Sequence, residues 1–279
     1  MRKLRLSTIV EEILLLGASA VIAMPLYYLF IGAFKSRTEI TRHPFLLTLE
    51  MIRNSGIRNF TYAIDTMSLV KSTVDTALIT AAALVITVVL GSLMGFVIAR
   101  VDRRLFRTLY AVLISVMIIP FIGCLIPLVV QSTRIGTYNT LWSCILIQGA
   151  WNLPFSVFLY TGFMRGLPKE LEEAAYIDGC SLIGAYMRVF LPLLSPVTAT
   201  CCIRSGVGIW NDFICCSSLL NTGKQPTLMV GIQAFFGARK SEYGYAFAGI
   251  ILGSLPIILM FLFLQKYFIK GMSAGAVKG

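Results

Sequence analysis

Charged side chains are scarce in this sequence of 279 residues, since Asp, Glu, Lys and Arg together make up 13% of it. A soluble globular domain carries roughly 25% charged residues, because its outer surface has to be wetted by water. Hydrophobic residues make up 57% of the chain, and its mean hydropathy is +0.81. A water-soluble fold is therefore excluded, and an integral membrane protein, whose outer surface faces lipid, is predicted.

Several constellations that carry chemistry are also missing from the sequence. The only histidine, His43, has no ligand set around it, and no H-E-x-x-H motif is present, which argues against a metal site. The seven cysteines lack the C-x₂₋₄-C spacing of zinc sites and are interpreted as small buried hydrophobic residues. No G-x₄-G-K-[ST] phosphate loop exists, so this chain does not bind ATP by that route. We therefore predict no cofactor bound by this chain and no enzymatic activity of its own.

Six apolar stretches are each long enough to cross a bilayer, which takes about 20 residues in a helix. We predict transmembrane helices at 9–34, 77–99, 109–130, 141–163, 193–220 and 245–268. The first stretch is too long for the apolar region of a signal peptide and is expected to be retained as a helix. Prolines inside these stretches are expected to kink their helices. They are Pro25, Pro120, Pro127, Pro154 and Pro256.

Basic residues outnumber acidic ones by 24 to 13, which gives a net charge of +11. They are spread over short loops between apolar stretches, which argues against nucleic-acid binding and favours anchoring at the cytoplasmic face of a membrane. Arginines cluster after the second stretch, and both chain ends are basic. With six spans these segments lie on one side, so we predict a multi-pass protein with cytoplasmic N- and C-termini. The first loop, 35–72, is then external, although it also carries basic residues.

The loop between the fourth and fifth stretches, 166–192, is acidic on an otherwise basic side; we call it the acidic loop. Three glutamates stand near the start of a predicted helix, where the positive end of the helix dipole favours anions. Gly179 suits a left-handed C-terminal cap, and a second short helix is predicted to follow and to stop at Pro192. Because membrane-surface helices are usually basic, this helix–Gly–helix unit is predicted to dock into a protein of complementary charge.

The acidic loop resembles the EAA signature, E-A-A-x₃-G-x₉-I-x-L-P. Here it reads Glu173-Ala-Ala-x₃-Gly179-x₉-Val189-x-Leu191-Pro192, with Val in place of Ile. On this signature the chain is identified as a member of the membrane subunits of binding-protein-dependent ABC importers. The tripeptide Trp-Asn-Asp at 210–212 and the terminal segment 265–279 are similar to the carbohydrate branch, the maltose and oligosaccharide permeases. The resemblance covers roughly residues 59–279.

This resemblance implies a type I ABC importer permease fold, all-α with six transmembrane helices, in a bacterial or archaeal cytoplasmic membrane. The implied partners, besides the lipid bilayer, are a second permease subunit, an ABC ATPase dimer that binds ATP and Mg, and an extracytoplasmic solute-binding protein. In the family the EAA loop is a coupling helix that sits in a cleft of the ATPase subunit. The residues implied in ATPase coupling are Glu170, Glu172, Glu173, Ala174, Ala175, Asp178, Gly179, Leu191 and Pro192.

Individual roles follow from the same resemblance. Glu172 and Glu173 would face basic groups of the ATPase. Ala174 and Ala175 would allow close approach, and Gly179 would set the angle between the two short helices. The C-terminal tail either lies against the ATPase dimer, as the resemblance suggests, or is frayed.

Polar and aromatic residues within the fourth and fifth stretches form a predicted substrate path. They are Gln148, Trp151, Asn152, Arg204, Trp210, Asn211 and Asp212. Aromatic faces with amide and acid groups suit sugar binding, and hydrogen bonding between helices is the alternative. Arg204 and Asp212 are eight residues apart, just over two turns, so both project to similar sides. Three roles stay open for Arg204: substrate contact, an ion pair with a neighbouring helix, and snorkelling to the interface.

We predict three segments along the chain: an N-terminal helix with its external loop (1–70), a permease core (71–268) and a cytoplasmic tail (269–279). The leading function is inward translocation of a sugar or oligosaccharide, driven by ATP hydrolysis in the partner ATPase. One alternative is an ABC permease for a non-sugar solute, such as a peptide or phosphate. The other is an ion-coupled secondary carrier, which would transport without any ATPase.

Overall fold

The computed structural model describes residues 6–220, 227–237 and 242–276. The described chain is all-α, as predicted. Its helices are α1 (Leu6–Gly32), α2 (Arg37–Arg42), α3 (Leu49–Met51), α4 (Ile57–Thr66), α5 (Leu69–Arg100), α6 (Arg104–Val116), α7 (Phe121–Arg134), α8 (Leu141–Arg165), α9 (Glu170–Ile177), α10 (Leu182–Ala185), α11 (Leu191–Leu193), α12 (Ser195–Trp210), α13 (Ile214–Leu219), α14 (Leu228–Gln233) and α15 (Tyr243–Ala276). Two π-helical segments, Ile52–Gly56 and Tyr186–Phe190, lie between α3 and α4 and between α10 and α11.

Four helices of the described residues are each long and apolar enough to cross a membrane: α1, α5, α8 and α15. Two further pairs qualify only as bent spans, α6 with α7 and Leu182–Leu193 with α12. The six predicted spans are therefore matched only if each bent pair counts as one. Apolar side chains from Ile13 to Leu26 of α1 are exposed, which suits a helix whose solvent is lipid. The segment 269–279, predicted as a tail, is helical through Ala276, and its last three residues lie outside the described residues.

The third predicted span is not one helix, because α6 and α7 meet at an angle of 107°. Before the break, the amides of Met117, Ile118 and Ile119 bond three residues back, as in a tightened final turn. Pro120 then caps α7 in an extended conformation, with φ −71° and ψ 133°. Proline has no N–H with which to continue α6, so the chain turns there instead of kinking.

The fifth predicted span, 193–220, is also broken: the chain bends by 71° before α12, and α12 ends at Trp210. The bend falls where Pro196 cannot donate a backbone hydrogen bond to the Pro192 carbonyl. The hydroxyl of Ser195 donates to that carbonyl instead, at 2.9 Å. The predicted fifth span is therefore divided between α12 and α13.

The chain divides into two compact units. The first comprises Met1–Val70 with Gly231–Ser254, and the second Lys71–Val230 with Leu255–Gly279. A buried lysine organises the first unit, because the ammonium group of Lys35 donates to the carbonyls of His43 and Pro44 at 2.8 and 2.9 Å. Burial lowers the pKa of Lys35, and the negative charge of Glu39 opposes part of this decrease. The buried amide of Asn59 donates to the Lys35 carbonyl at 2.9 Å, so polar groups hold the segment that follows α1.

Small residues bring α5 and α8 together in the second unit. A methyl group at Gly95 would lie 2.6 Å from Cβ of Tyr160, so only glycine permits this approach. Two hydroxyls then bond across the interface: Thr87 donates to the Gly149 carbonyl at 3.2 Å, and Ser156 donates to the Thr87 carbonyl at 3.0 Å. Close backbones joined by hydroxyl hydrogen bonds are typical of helix pairs in membranes.

Candidate functional site

The first half of the acidic loop is the helix α9, with three glutamates in its first turn. It ends at Gly179, whose φ of +79° lies in the left-handed region that disfavours residues with a Cβ. The amide of Gly179 donates to the Tyr176 carbonyl at 3.0 Å, and the amide of Cys180 donates to the Ala175 carbonyl at 2.9 Å. These two bonds form a Schellman motif, so the predicted left-handed cap is confirmed.

The second half of the loop differs from the single helix that we predicted. The hydroxyl of Ser181 accepts a hydrogen bond from the Gly184 amide and so caps α10. The backbone then widens into the π-helical segment Tyr186–Phe190 and returns to α-helix at Leu191. Pro192 lies in the first turn of α11, where its missing N–H is tolerated. The helical run ends at Leu193, within one residue of the predicted stop at Pro192.

The inner side of the acidic loop packs into a hydrophobic core of the second unit. Ala175, Tyr186 and Phe190 are buried there together with Phe96 of α5. The Phe96 ring lies 5.3 Å from the ring of Tyr186 and 5.1 Å from that of Phe190, measured between centroids. Aromatic pairs at this spacing add to the free energy of area burial. The loop is thus fixed along one side.

Arg100, the last residue of α5, reaches into this loop. Its guanidinium donates to the Leu167 carbonyl at 3.1 Å, and its Nε lies 3.7 Å from a carboxylate oxygen of Glu172. Its Cζ also lies 5.0 Å from the centroid of the Phe190 ring. The side chains of Arg100 and Glu172 are only 3% and 18% exposed. Glu172 additionally accepts a hydrogen bond from the Tyr176 hydroxyl at 3.0 Å.

The outer side of the loop is exposed and combines acidic with apolar groups. Ile177 is 85% exposed and Ile183 is 74% exposed. Of the nine residues implied in coupling, seven are exposed: Glu170, Glu173, Ala174, Asp178, Gly179, Leu191 and Pro192. The other two do not face outwards, since Ala175 is buried and Glu172 pairs with Arg100. Glu172 is thus directed at Arg100 within this chain, whereas Glu173 is exposed, and its predicted contact with the ATPase stays a prediction.

A cleft of about 220 Å³ opens in the second unit, between α8 and α12. It is lined by Phe121, Gln148, Trp151, Asn152, Arg204, Gly208 and Asp212. The structure thus brings together five of the seven residues that we predicted for a substrate path. Of the other two, Trp210 is buried, and the exposed Asn211 donates its side-chain amide to the Val207 carbonyl at 3.0 Å.

The two charged residues of the cleft have different partners. Arg204 donates to the side-chain oxygen of Asn152 at 3.0 Å, and its Cζ lies 4.4 Å from the ring centroid of Phe155. Asp212 accepts hydrogen bonds from the backbone amides of Cys215 and Cys216 at 3.4 and 3.0 Å. Arg204 thus connects α12 to α8 through an amide and a ring, while Asp212 caps α13.

Sequence reasoning missed two kinds of contact. Phe155 was not selected, although it lies four residues after Trp151 and so on the same side of α8. Arg100 was considered only as one of the arginines clustered after the second apolar stretch, which predict the orientation of the chain in the membrane. Its position at the end of an apolar stretch gave no sign that its side chain is buried. Only the folded acidic loop supplies the carbonyl and the carboxylate that receive it.

Residues 87–274 match the model of a protein family described as the binding-protein-dependent transport system inner membrane component. The chain belongs to this family. It is 37% identical over 225 residues to the melibiose/raffinose/stachyose import permease protein MelC of Bacillus subtilis (strain 168), covering 80% of this chain and 82% of that one. It is also 37% identical over 155 residues to "Probable ABC transporter permease protein YurM" of the same organism, a match to 56% of this chain and 52% of that protein's length.

A solved structure shares the fold of this chain. One chain of the crystal structure of a bacterial ABC transporter involved in the import of the acidic polysaccharide alginate superposes with a TM-score of 0.79. The match covers 96% of this chain and 98% of that chain at 19% sequence identity. The ABC permease fold that the EAA signature implied is therefore confirmed.

Proposed function

We propose that this chain is a membrane-spanning permease subunit of an ABC importer that moves a sugar or oligosaccharide inward, driven by ATP hydrolysis in a partner. Family membership and the sugars named for MelC support the proposal. The observation that carries it is the acidic loop, which is fixed along its inner side and presents an exposed outer surface of acidic and apolar groups. ATP and Mg belong to the partner ATPase, and this chain carries no enzymatic activity.

The coupling step uses the outer surface of α9. Glu173 offers a carboxylate to basic groups of the ATPase, and Ile177 offers apolar area that a protein cleft would bury. Ala174 carries only a methyl group between them, so a partner backbone approaches closely. A charge-assisted hydrogen bond at such a junction contributes about 1.5–3 kcal/mol. Closure of the ATPase dimer then displaces α9, and the helices packed on its inner side follow.

The substrate passes the cleft between α8 and α12. Trp151 supplies an aromatic face for a sugar ring, Gln148 and Asn152 supply amide groups, and Arg204 supplies hydrogen-bond donors. A polar surface inside an apolar span is expensive in a membrane and marks a pathway. Trp210 and Asp212, which were also predicted for the substrate path, stabilise the structure around the cleft, because Trp210 is buried and Asp212 caps α13.

The remaining assembly follows from the family and from the charge pattern. Four arginines cluster between the last residue of α5 and the first turn of α6. By the positive-inside rule they support a cytoplasmic position for this segment, the acidic loop and both termini, in a bacterium or archaeon. A second permease subunit completes the path, and an extracytoplasmic solute-binding protein delivers the substrate from the other side. Both are expected to copurify with this chain.

Affinity purification of the tagged chain from its native membrane tests the proposal. We expect an ABC ATPase, a second permease and a solute-binding protein in the complex. The complex is then reconstituted into proteoliposomes in which its orientation has been checked. Labelled raffinose, melibiose or another sugar bound by that solute-binding protein should enter these vesicles only with ATP and Mg. ADP serves as the control. Transport by the purified chain alone, driven by an ion gradient, would instead support a secondary carrier, and a binding protein that retains only peptides or phosphate would overturn the sugar assignment.

A further inference from the structure

One face of α5 contacts the acidic loop at three successive turns. Ser92 shares a hydrogen bond of 2.7 Å with the hydroxyl of Tyr186, and Phe96 stacks against Tyr186 and Phe190. Arg100 completes the series at the last residue of the helix. Residues at i, i+4 and i+8 lie above one another on a helix, so these three side chains form a continuous contact. We call them the α5 stripe.

Arg100 contacts both halves of the acidic loop. It donates to the Leu167 carbonyl just before α9, lies beside Glu172 within α9, and faces the ring of Phe190 in the second half. The hydrogen bond of Ser92 and the ring contacts of Phe96 are made with the second half, and Phe96 shares a hydrophobic core with Ala175 of α9. Without Arg100, α9 would be connected to α5 through the cap at Gly179 and through apolar packing. Arg100 adds a directional hydrogen bond and an ion pair to that packing.

The buried position of Arg100 costs free energy of folding, which points to a role for this side chain. A buried cation is destabilising when its hydrogen bonds are incomplete. The Nε of Arg100 is buried and has no hydrogen-bond partner, since Glu172 lies at ion-pair distance, 3.7 Å. A small movement of α9 toward α5 would bring this pair to hydrogen-bond distance, which is about 2.9 Å. The planar guanidinium fork also serves a carbonyl and a carboxylate at once, which a lysine ammonium does less well.

We propose that Arg100 is the positioning residue that fastens α9 to α5, so that a displacement of the acidic loop by the ATPase is passed to this membrane-spanning helix. The inference rests on the proposed function and adds the path by which the displacement enters the membrane. Glu172 belongs to that path and not to the ATPase contact. Glu173, one residue later and exposed, meets the ATPase. Adjacent glutamates thus have separate tasks, one facing inwards and one facing outwards.

Hydrogen exchange of the assembled importer in lipid nanodiscs tests this assignment, with ATP, Mg and vanadate as the probe. In the wild type we expect the probe to change exchange both in α9 and at residues 97–103, the end of α5. In Arg100→Met the change in α9 should persist, while the change at 97–103 should fall at least about threefold. Arg103→Met is the matched control, because Arg103 is exposed in the same stretch and its side chain does not cap α6. It should respond like the wild type.

Two further variants separate a positioning role from a merely structural one. Arg100→Lys keeps the charge and should retain about half of the response, because the ion pair remains while the fork is lost. Glu172→Gln should reduce the response in the same direction as Arg100→Met. The double variant Arg100→Met/Glu172→Gln should be no worse than Arg100→Met alone, because residues that act as one pair are not additive.

The possible outcomes are distinct. A wild-type response at 97–103 in Arg100→Met, with the ATPase bound, would overturn the assignment of Arg100. If Arg100→Met does not assemble, Glu172→Gln decides, since it preserves Arg100 and the size of the side chain, and an unchanged response there overturns the proposal. Absence of an ATPase from the purified wild-type complex would refute the proposed function itself. That result is recognised before any variant is compared.

Discussion

Arg100 and Arg204 both belong to the second unit, but the protein surrounds them differently. Arg100 is almost fully buried and contacts a carbonyl, a carboxylate and a ring that all come from the acidic loop. Arg204 is exposed, and its contacts with the described residues include one amide oxygen and one ring, both on α8. The first arginine is enclosed by its own chain, whereas the second leaves donors directed at a cleft.

The difference separates two ways in which a membrane protein uses a cation. A guanidinium enclosed by several segments makes them move together, because separating any of them exposes an unpaired charge. A guanidinium on the wall of a cleft keeps donors available for another molecule. The first arrangement suits transmission of force and the second suits contact with a solute. Variants should therefore fall into two groups, one that disturbs coupling and one that disturbs solute handling.

The largest effect is expected from Gly179→Val, which strains the turn between the two halves of the acidic loop around Arg100. A β-branched residue at φ +79° is unfavourable by at least about 1–2 kcal/mol. The strain would rotate α9 relative to the rest of the loop. ATP-driven uptake should fall at least about tenfold, while the protein stays in the membrane. Uptake and ATP hydrolysis in proteoliposomes measure the loss and show whether hydrolysis continues without transport.

Gly162→Val provides the matched control for that variant. A Cβ at either glycine meets nothing within 4 Å, but only Gly179 has a positive φ. Gly162 lies inside α8, so valine there should leave uptake within about twofold of the wild type, since its helix propensity is no lower than that of glycine. Equal losses in both variants would show that bulk, and not backbone conformation, is what the loop rejects.

A smaller and different loss is expected for Arg204→Met. Removing donors from the cleft should weaken handling of the sugar by about tenfold, as for one charge-assisted hydrogen bond. The exchange response of residues 97–103 to ATP, Mg and vanadate should be unchanged, in contrast to Arg100→Met. Uptake at several sugar concentrations and hydrogen exchange, measured on the same preparation, give both values. A variant that lost the exchange response as well would end the distinction between the two arginines.

Much of the fold was predictable because its causes are local in sequence. Apolar stretches of spanning length, a glycine suited to a left-handed cap and a group of glutamates at a helix start are all visible without a structure. A kink was predicted at Pro120, but neither its extent, a bend of 107°, nor the bend of 71° just before Pro196 was predicted. Pro127 and Pro154 stay inside helices, so the presence of proline alone does not decide between a kink and a turn.

The candidate site was predictable only in part, for a related reason. Depth and polarity identified five residues of the cleft, because a polar group in an apolar stretch stands out in sequence. The inward direction of Glu172 and the burial of Arg100 depend on contacts between residues 72 positions apart. No spacing rule connects two such positions. The same holds for Ser92 and Tyr186, which are 94 positions apart.

Asp212→Asn should affect stability more than transport, although Asp212 lines the same cleft as Arg204. Its carboxylate accepts from two backbone amides at the start of α13, and asparagine keeps only one acceptor oxygen. Loss of such a cap costs about 0.5–2 kcal/mol. We expect a modest decrease in the melting temperature of the purified chain and a loss of sugar uptake below about threefold. If the uptake loss matched that of Arg204→Met, Asp212 would belong to the solute contact.

The smallest effect is expected for Tyr176→Phe, which removes a hydrogen bond at the exposed edge of the contact between Arg100 and Glu172. The Tyr176 hydroxyl donates to Glu172 at 3.0 Å, and the side chain is 44% exposed, so hydrogen exchange in α9 should rise by less than about threefold. Desolvation and then the Glu172 carboxylate raise the pKa of Tyr176 above its usual value. A raised pKa means that the bond is fully present below about pH 10 and is lost as the pH rises through the pKa of the folded state. The difference in exchange between wild type and Tyr176→Phe should therefore be constant from about pH 6 to pH 9. A difference that disappears within that range would show that the hydrogen bond between Tyr176 and Glu172 is not what protects α9.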